Sequence, residues 1–194
     1  MKERSLYSME LDHLFYLLDT VSSEMNPPSK LNLDYSVSIW RPRNLAFRLP
    51  EVSTKDIIVW QLFHYARIFK NNEFAVFMIN KNHNVVHRSF IFPKFFRYPF
   101  MERIDLQIGN IWTHPDHRGR GLAEYAIKGI VRSFGKPKRR FWYIVEKHNT
   151  PSIRVIEKCN FRKVGEGIRS NWLNLKLFGS FIIKHYEEVN CYPS

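Results

Sequence analysis

The spacing of apolar positions changes along the chain, and each change predicts an element. Over residues 9–21, Leu11, Leu14, Phe15, Leu18 and Val21 recur at the spacing of one helix face. Asn26-Pro27-Pro28-Ser29 then interrupts the pattern. This predicts a helical extension over residues 1–30 and a folded domain over residues 31–194. Residues 35–40 alternate with period two and predict a strand, which Arg41-Pro42-Arg43 ends. A helix opens at Ser53 or Thr54 and places Ile57, Ile58, Gln61, Leu62, Tyr65, Ala66 and Phe69 along one side. Strands follow at 74–79 and 85–92, then an aromatic loop at 93–101 and a strand at 105–113. An amphipathic helix at 121–134 precedes a strand at 141–145, a short helix at 152–158 and a strand from 161 onward. Residues 172–186 alternate as a final strand or hairpin interrupted at Gly179-Ser180. Strands mixed with helices and returning antiparallel pairs predict an α/β (α+β) sheet domain.

Charge narrows the ligand. Lys and Arg outnumber Asp and Glu by 30 to 18, a net +12, which suits nucleic acid, an acidic lipid headgroup or a phosphorylated small molecule. A hydrophobic content of 44% excludes a disordered basic tail. No uncharged apolar run is long enough to span a membrane. Glu3, Glu10, Asp12 and Asp19 run through the first apolar stretch, which does not read as a secretory leader, so a cytoplasmic protein is expected. Cys159 and Cys191 are far apart and form no CxxC, so neither a disulfide framework nor a zinc-thiolate site is expected. His114 and His117 lack a matching ligand cluster, and no metal is expected there.

The informative segment is IGNIWTHPDHRGRG, residues 108–121. A strand runs into Pro115, then into the turn Arg118-Gly119-Arg120-Gly121, then into an amphipathic helix. Glycines let backbone N–H groups approach phosphate oxygens without a Cβ in the way. The first helical N–H groups lack intrahelical partners, and the helix dipole makes that end partly positive. Arg118 and Arg120 add charge-assisted donors. The third glycine of the dinucleotide fingerprint is absent, and so is the GKS or GKT of a Walker loop.

The run from Ile111 to Ala123, with Pro115, Arg118, Gly119, Gly121 and Ala123 in order, resembles the acetyl-coenzyme A signature of the GNAT acetyltransferase superfamily. A second block is similar to the family's later helix and strand: Asn149, Ser152, Val155, Glu157, Lys158, Asn160 and Phe161. The resemblance implies a mixed, mostly antiparallel sheet of about six to seven strands flanked by helices. It also implies acetyl-CoA in the cleft between two splayed central strands. Its pantetheine arm would pair with backbone near Ile111, Trp112 and Thr113. The pyrophosphate would sit on Arg118, Gly119, Arg120, Gly121, Leu122 and Ala123, with Asn149 and Ser152 beside it. Three positions depart from the pattern. Asp116 replaces the usual Gln or Arg and would cap the helix instead. Ile156 stands where the family often has a tyrosine acid. Asn160 replaces a glycine, a change that left-handed geometry tolerates.

The resemblance implies acetyl transfer to the amine of a small molecule, which needs a base. Asp105, at the start of the central strand, stands where histone-type members place a catalytic acid. Glu146 closes the neighbouring strand. The stretch from Val86 to Gly121 is also similar to acetyltransferases of bacterial surface-polysaccharide synthesis, which implies an amino-sugar or sugar-nucleotide acceptor. Phe95, Phe96, Tyr98 and Phe100 then read either as an apolar wall over a sugar ring or as core. Two other readings stay open: a non-catalytic acetyl-CoA sensor, and a nucleic-acid-associated protein using Lys136-Pro137-Lys138-Arg139-Arg140. No helix-turn-helix, RNP or zinc-finger pattern supports the second. The N-terminal helix would pack on the domain, cover the acceptor site or form a homodimer.

Overall fold

The structure is a computed structural model that describes residues 11–19, 34–42, 52–170 and 179–186. Its strands are β1 (His13–Asp19), β2 (Tyr35–Trp40), β3 (Ala75–Lys81), β4 (Asn84–Pro93), β5 (Leu106–Thr113), β6 (Arg140–Glu146), β7 (Arg162–Arg169) and β8 (Phe181–Tyr186). Its helices are α1 (Thr54–Tyr65), α2 (Leu122–Phe134) and α3 (Thr150–Lys158). The strands form one sheet in the order β2-β3-β4-β5-β6-β1-β7-β8. Every neighbouring pair is antiparallel except β5 and β6, which run parallel. The mixed, mostly antiparallel sheet matches the expected fold class, with eight strands rather than six or seven.

The eighth strand corrects the reading of residues 9–21. Residues 13–19 are not helical; they form β1, antiparallel to β6 on one side and β7 on the other. Leu14, Tyr16 and Leu18 face the core under α2 and α3, while Phe15 and Leu17 face the core under α1. A strand buried on both faces carries apolar residues without alternation, so its sequence also satisfies a helix template. Residues 1–10 and 20–30 of the expected extension lie outside the described residues, as do residues 172–178 of the expected last strand.

The two faces hold separate cores. Leu122, Ala126, Ile127, Ile130 and Phe134 of α2 and Ile156 of α3 pack on Ala75, Phe77, Ile108, Phe141 and Tyr143. On the other face Ile57, Trp60 and Phe63 of α1 join Phe74, Phe90, Phe92, Phe95 and Trp142. Trp60 lies 4.9 Å from the Phe92 ring and 5.5 Å from Phe63. The loop at 93–101 belongs to this core: Phe95, Tyr98 and Met101 are buried, and Phe96 alone of its large apolar side chains is 41% exposed. The loop therefore packs the domain rather than presenting an open aromatic wall.

Candidate functional site

The site originates in how β5 leaves β6. The two strands pair only from Leu106↔Phe141 to Ile108↔Tyr143. Beyond that point β5 stays on β4 as far as His87↔Thr113, with a register shift opposite Arg88 and Phe90. Asn110 takes a left-handed φ of 48° at this irregularity, a conformation asparagine tolerates. The bulge turns β5 away and opens a wedge toward its carboxyl end. His114 N–H donates to Val86 C=O at 2.9 Å, on the β4 side. By alternation, the main-chain groups of Thr113 and Ile111 face away from β4, toward the wedge, where no strand pairs with them.

A cleft of about 580 Å³ occupies the wedge. Ile111, Trp112 and Thr113 form one wall, and Tyr143 stands where the strands part. His117, Arg118, Gly119, Gly121 and the first turn of α2 form the second side. Asn149, Pro151, Ser152, Val155 and Lys158 form the third. Gly119 and Gly121 hold φ values of +72° and +73°, and a Cβ built on either would meet no atom within 4 Å. Both therefore require left-handed freedom and leave open space beside the backbone. The first hydrogen bond of α2 joins Tyr125 N–H to Gly121 C=O at 2.9 Å, so the N–H groups of Leu122, Ala123 and Glu124 have no helical acceptor. Asn149 caps α3 by accepting Ser152 N–H at 3.2 Å. The unpaired edge of β5 fits an amide-bearing arm, and the glycine turn at a helix N-terminus fits a pyrophosphate. These are the two parts of acetyl-CoA that the residues would hold.

The structure thus brings together Ile111, Trp112, Thr113, Arg118, Gly119, Gly121, Leu122, Ala123, Asn149 and Ser152. Arg118 Nε donates to Thr113 C=O at 3.3 Å across the turn. Arg120 is not among the lining residues; its guanidinium donates to the Tyr35 hydroxyl at 3.4 Å. Asp116 does not cap α2. It stands in the 3-10 turn Pro115–His117, its carboxylate 3.8 Å from His114 Nδ1. Asn160 takes the expected left-handed conformation, with φ of 61°.

Neither candidate base lines the cleft. Asp105 is fully buried at the amino end of β5 and accepts from Trp142 Nε1 at 2.9 Å, Arg140 Nη2 at 3.0 Å and Glu102 N–H at 2.9 Å. Its carboxylate anchors the start of the parallel pair and is not free to take a substrate proton. Glu146 is exposed at the carboxyl end of β6, on the same strand face as Trp142 and Ile144. Its carbonyl accepts Asn149 N–H at 2.9 Å, which ties it to the rim of the cleft. Among the described residues no group of His, Cys, Asp and Glu is arranged to hold a metal.

Two functional candidates escaped the sequence reading. Tyr143 lines the cleft at the parting of the strands, and burial raises its pKa against the opposing effect of its Ser152 hydrogen bond. His87 is fully buried in β4 between two hydroxyls, with Nδ1 2.8 Å from Thr113 Oγ1 and Nε2 2.9 Å from Ser89 Oγ. Burial, helped by Arg88, pushes its pKa down to about 4, so the ring is neutral and holds the Thr113 side chain in place. A lone histidine in an alternating strand gave no signal of that contact.

The profile of the acetyltransferase (GNAT) family matches residues 48–161, more than half of the 194-residue chain. No curated protein matches the chain. Solved structures share the fold at low identity. A Drosophila protein superposes with a TM-score of 0.53 at 14% identity, covering 78% of this chain and 47% of its own. A GNAT-family acetyltransferase from Colwellia psychrerythraea gives 0.51 at 11% identity, covering 79% and 53%. A tandem GNAT protein from the clavulanic acid biosynthesis pathway gives 0.51 at 12% identity, covering 80% and 51%. The chain therefore spans about half the length of these structures.

Proposed function

Because the chain belongs to the acetyltransferase (GNAT) family, we propose that it moves an acetyl group from acetyl-CoA to an amine of a small molecule, with an amino sugar or sugar nucleotide as the acceptor class. The observation that carries the reading is the unpaired edge of β5 leading directly into the left-handed glycines and the N-terminus of α2. Acetyl-CoA, when bound, supplies a thioester whose carbonyl carbon is open to attack by the amine nitrogen. The chain's part is positioning and proton traffic. N–H groups from Gly119 to Glu124 bind the pyrophosphate, and the main chain of Ile111 and Thr113 aligns the arm. A backbone N–H of β5 polarises the carbonyl. Glu146 takes the proton that the amine loses as the new N–C bond forms. Tyr143, at the parting of the strands, would supply a hydroxyl donor to the sulfur that acetyl-CoA releases. A thiol of pKa about 8.5 also leaves readily as thiolate, so this donor assists rather than decides the step.

The acceptor class rests on the likeness of residues 86–121 to acetyltransferases of surface-polysaccharide synthesis and on the net charge of +12. On this reading the enzyme works in the cytoplasm. A non-catalytic acetyl-CoA sensor is the second reading. It is favoured by Ile156, fully buried where related proteins often place a tyrosine, and by Asp105, locked in its ion pair. A thiol-release assay over amino sugars, sugar nucleotides, polyamines, amino acids and peptides tests both. Release with an amino sugar supports the enzyme. Thermal stabilisation by acetyl-CoA without release on any acceptor supports the sensor, and absence of both removes acetyl-CoA from the reading.

A further inference from the structure

A cluster of donors lies beside the glycine turn, on the side away from α3. Tyr35 and Lys81 are register partners on β2 and β3. The Tyr35 hydroxyl is 3.0 Å from His117 Nδ1 and accepts from Arg120 Nη1 at 3.4 Å. Lys81 Nζ stands 5.5 Å from the centre of the Tyr35 ring. The His114 ring lies 5.8 Å from His117. Three segments, β2, β3 and the turn at 114–120, thus meet at Tyr35, and two of their side chains, His117 and Arg120, reach its phenol oxygen. Their charge is only partly answered: Lys81 is 3.8 Å from Asp34, and His114 is 3.8 Å from Asp116. Arg120 makes no ion pair among the described residues. Desolvation, followed by the positive charge of Arg120, Lys81 and His114, holds His117 below the ordinary histidine range, and Asp116 opposes this only in part.

The cluster opens onto the cleft, because His117 is a lining residue. Arg120 also sits between the two glycines whose backbone faces the pyrophosphate position. A second phosphate on the same ligand, one sugar away, would therefore meet Arg120 and His117 on this side. A phosphomonoester is close to dianionic at neutral pH and is best held by several charged and hydroxyl donors together. We propose that Tyr35, Lys81, His117 and Arg120 form a phosphomonoester subsite that selects coenzyme A over its dephospho form. This inference rests on the acetyl-CoA reading above.

Isothermal titration calorimetry of coenzyme A and dephospho-coenzyme A separates the two. The full chain binds coenzyme A about tenfold more tightly or better, the equivalent of one charge-assisted contact. Lys81→Gln brings the ratio toward one while leaving dephospho-coenzyme A binding within about twofold, and Arg120→Gln lowers the ratio as well. Lys158→Gln, on the α3 side of the cleft, keeps the ratio. Circular dichroism melting confirms that each variant is folded; Arg120 is exposed and Lys81 half-buried. Equal binding of the two ligands by the unaltered chain, an unchanged ratio in both turn-side variants, or loss of the ratio in Lys158→Gln overturns the subsite. Failure of the unaltered chain to bind either ligand overturns the acetyl-CoA reading itself.

Discussion

The Asp105 carboxylate and the Arg140 guanidinium form a 3.0 Å ion pair at the amino ends of β5 and β6, the end of the strand pair away from the cleft. Asp105 is fully buried, and Arg140 keeps partial access to solvent. Removing the acid leaves Arg140 and the Trp142 N–H without their acceptor. Asp105→Ala should cost about 3 kcal/mol by denaturant unfolding, the low end for breaking a buried pair. Turnover per folded molecule should be unchanged. Glu146→Gln, on an exposed carboxylate, should do the reverse: stability within about 0.5 kcal/mol of the parent and kcat lower by about a hundredfold. If the Asp105 variant loses turnover at full folding, the assignment of the two acids is inverted.

Gly121 has φ of +73° and open space where a Cβ would stand. Gly121→Ala therefore meets no protein atom, and its stability cost of about 1 kcal/mol comes from the left-handed backbone alone. The added methyl narrows the face that the backbone turns to a phosphate. Stabilisation of the melting temperature by acetyl-CoA should fall to a small fraction of the parent's. Full retention of that shift would show that the pyrophosphate lies elsewhere.

His87 links pH to stability. Its native pKa of about 4 lies below the ordinary histidine value of 6.5, so the unfolded chain binds the proton first. The contribution is whole above pH 6.5 and is lost as pH falls toward 4. Over that interval it amounts to about 3 kcal/mol. Equilibrium unfolding from pH 7.5 to 4 should show a steeper loss for the parent than for His87→Gln. Parallel curves would mean that the imidazole does not hold its neutral form.

Tyr143 keeps its proton because burial raises its pKa. Tyr143→Phe should leave acetyl-CoA affinity within about twofold and lower kcat by about tenfold, a modest factor because the thiolate is a competent leaving group. Equal kcat in the two proteins would remove the hydroxyl from proton transfer.

What could be read from the sequence was what depends on short range. The glycine turn and the helix that follows it are local devices, and both line the cleft. The pairing of Asp105 was not legible, because its partner Arg140 is 35 residues away on a parallel strand. No local pattern announces such a pairing. The loop at 93–101 stayed open between wall and core for a similar reason, since Trp60, Phe63 and Phe69, which surround Phe95, come from earlier in the chain. Residues 13–19 failed for a different reason: burial on both faces removes the alternation that marks a strand.

The place of β1 also governs the order in which the molecule can be assembled. It lies between β6 and β7, and its Tyr16 hydroxyl donates at 2.9 Å to Glu157, 141 residues later in the chain. During synthesis this apolar strand emerges well before β6 and β7, the two strands it pairs with. Closure of the sheet then waits on a contact of very high sequence separation, which slows folding and prolongs exposure of a sticky edge. A strand that lies in the interior of the finished sheet is thus an exposed apolar segment until its partners are made.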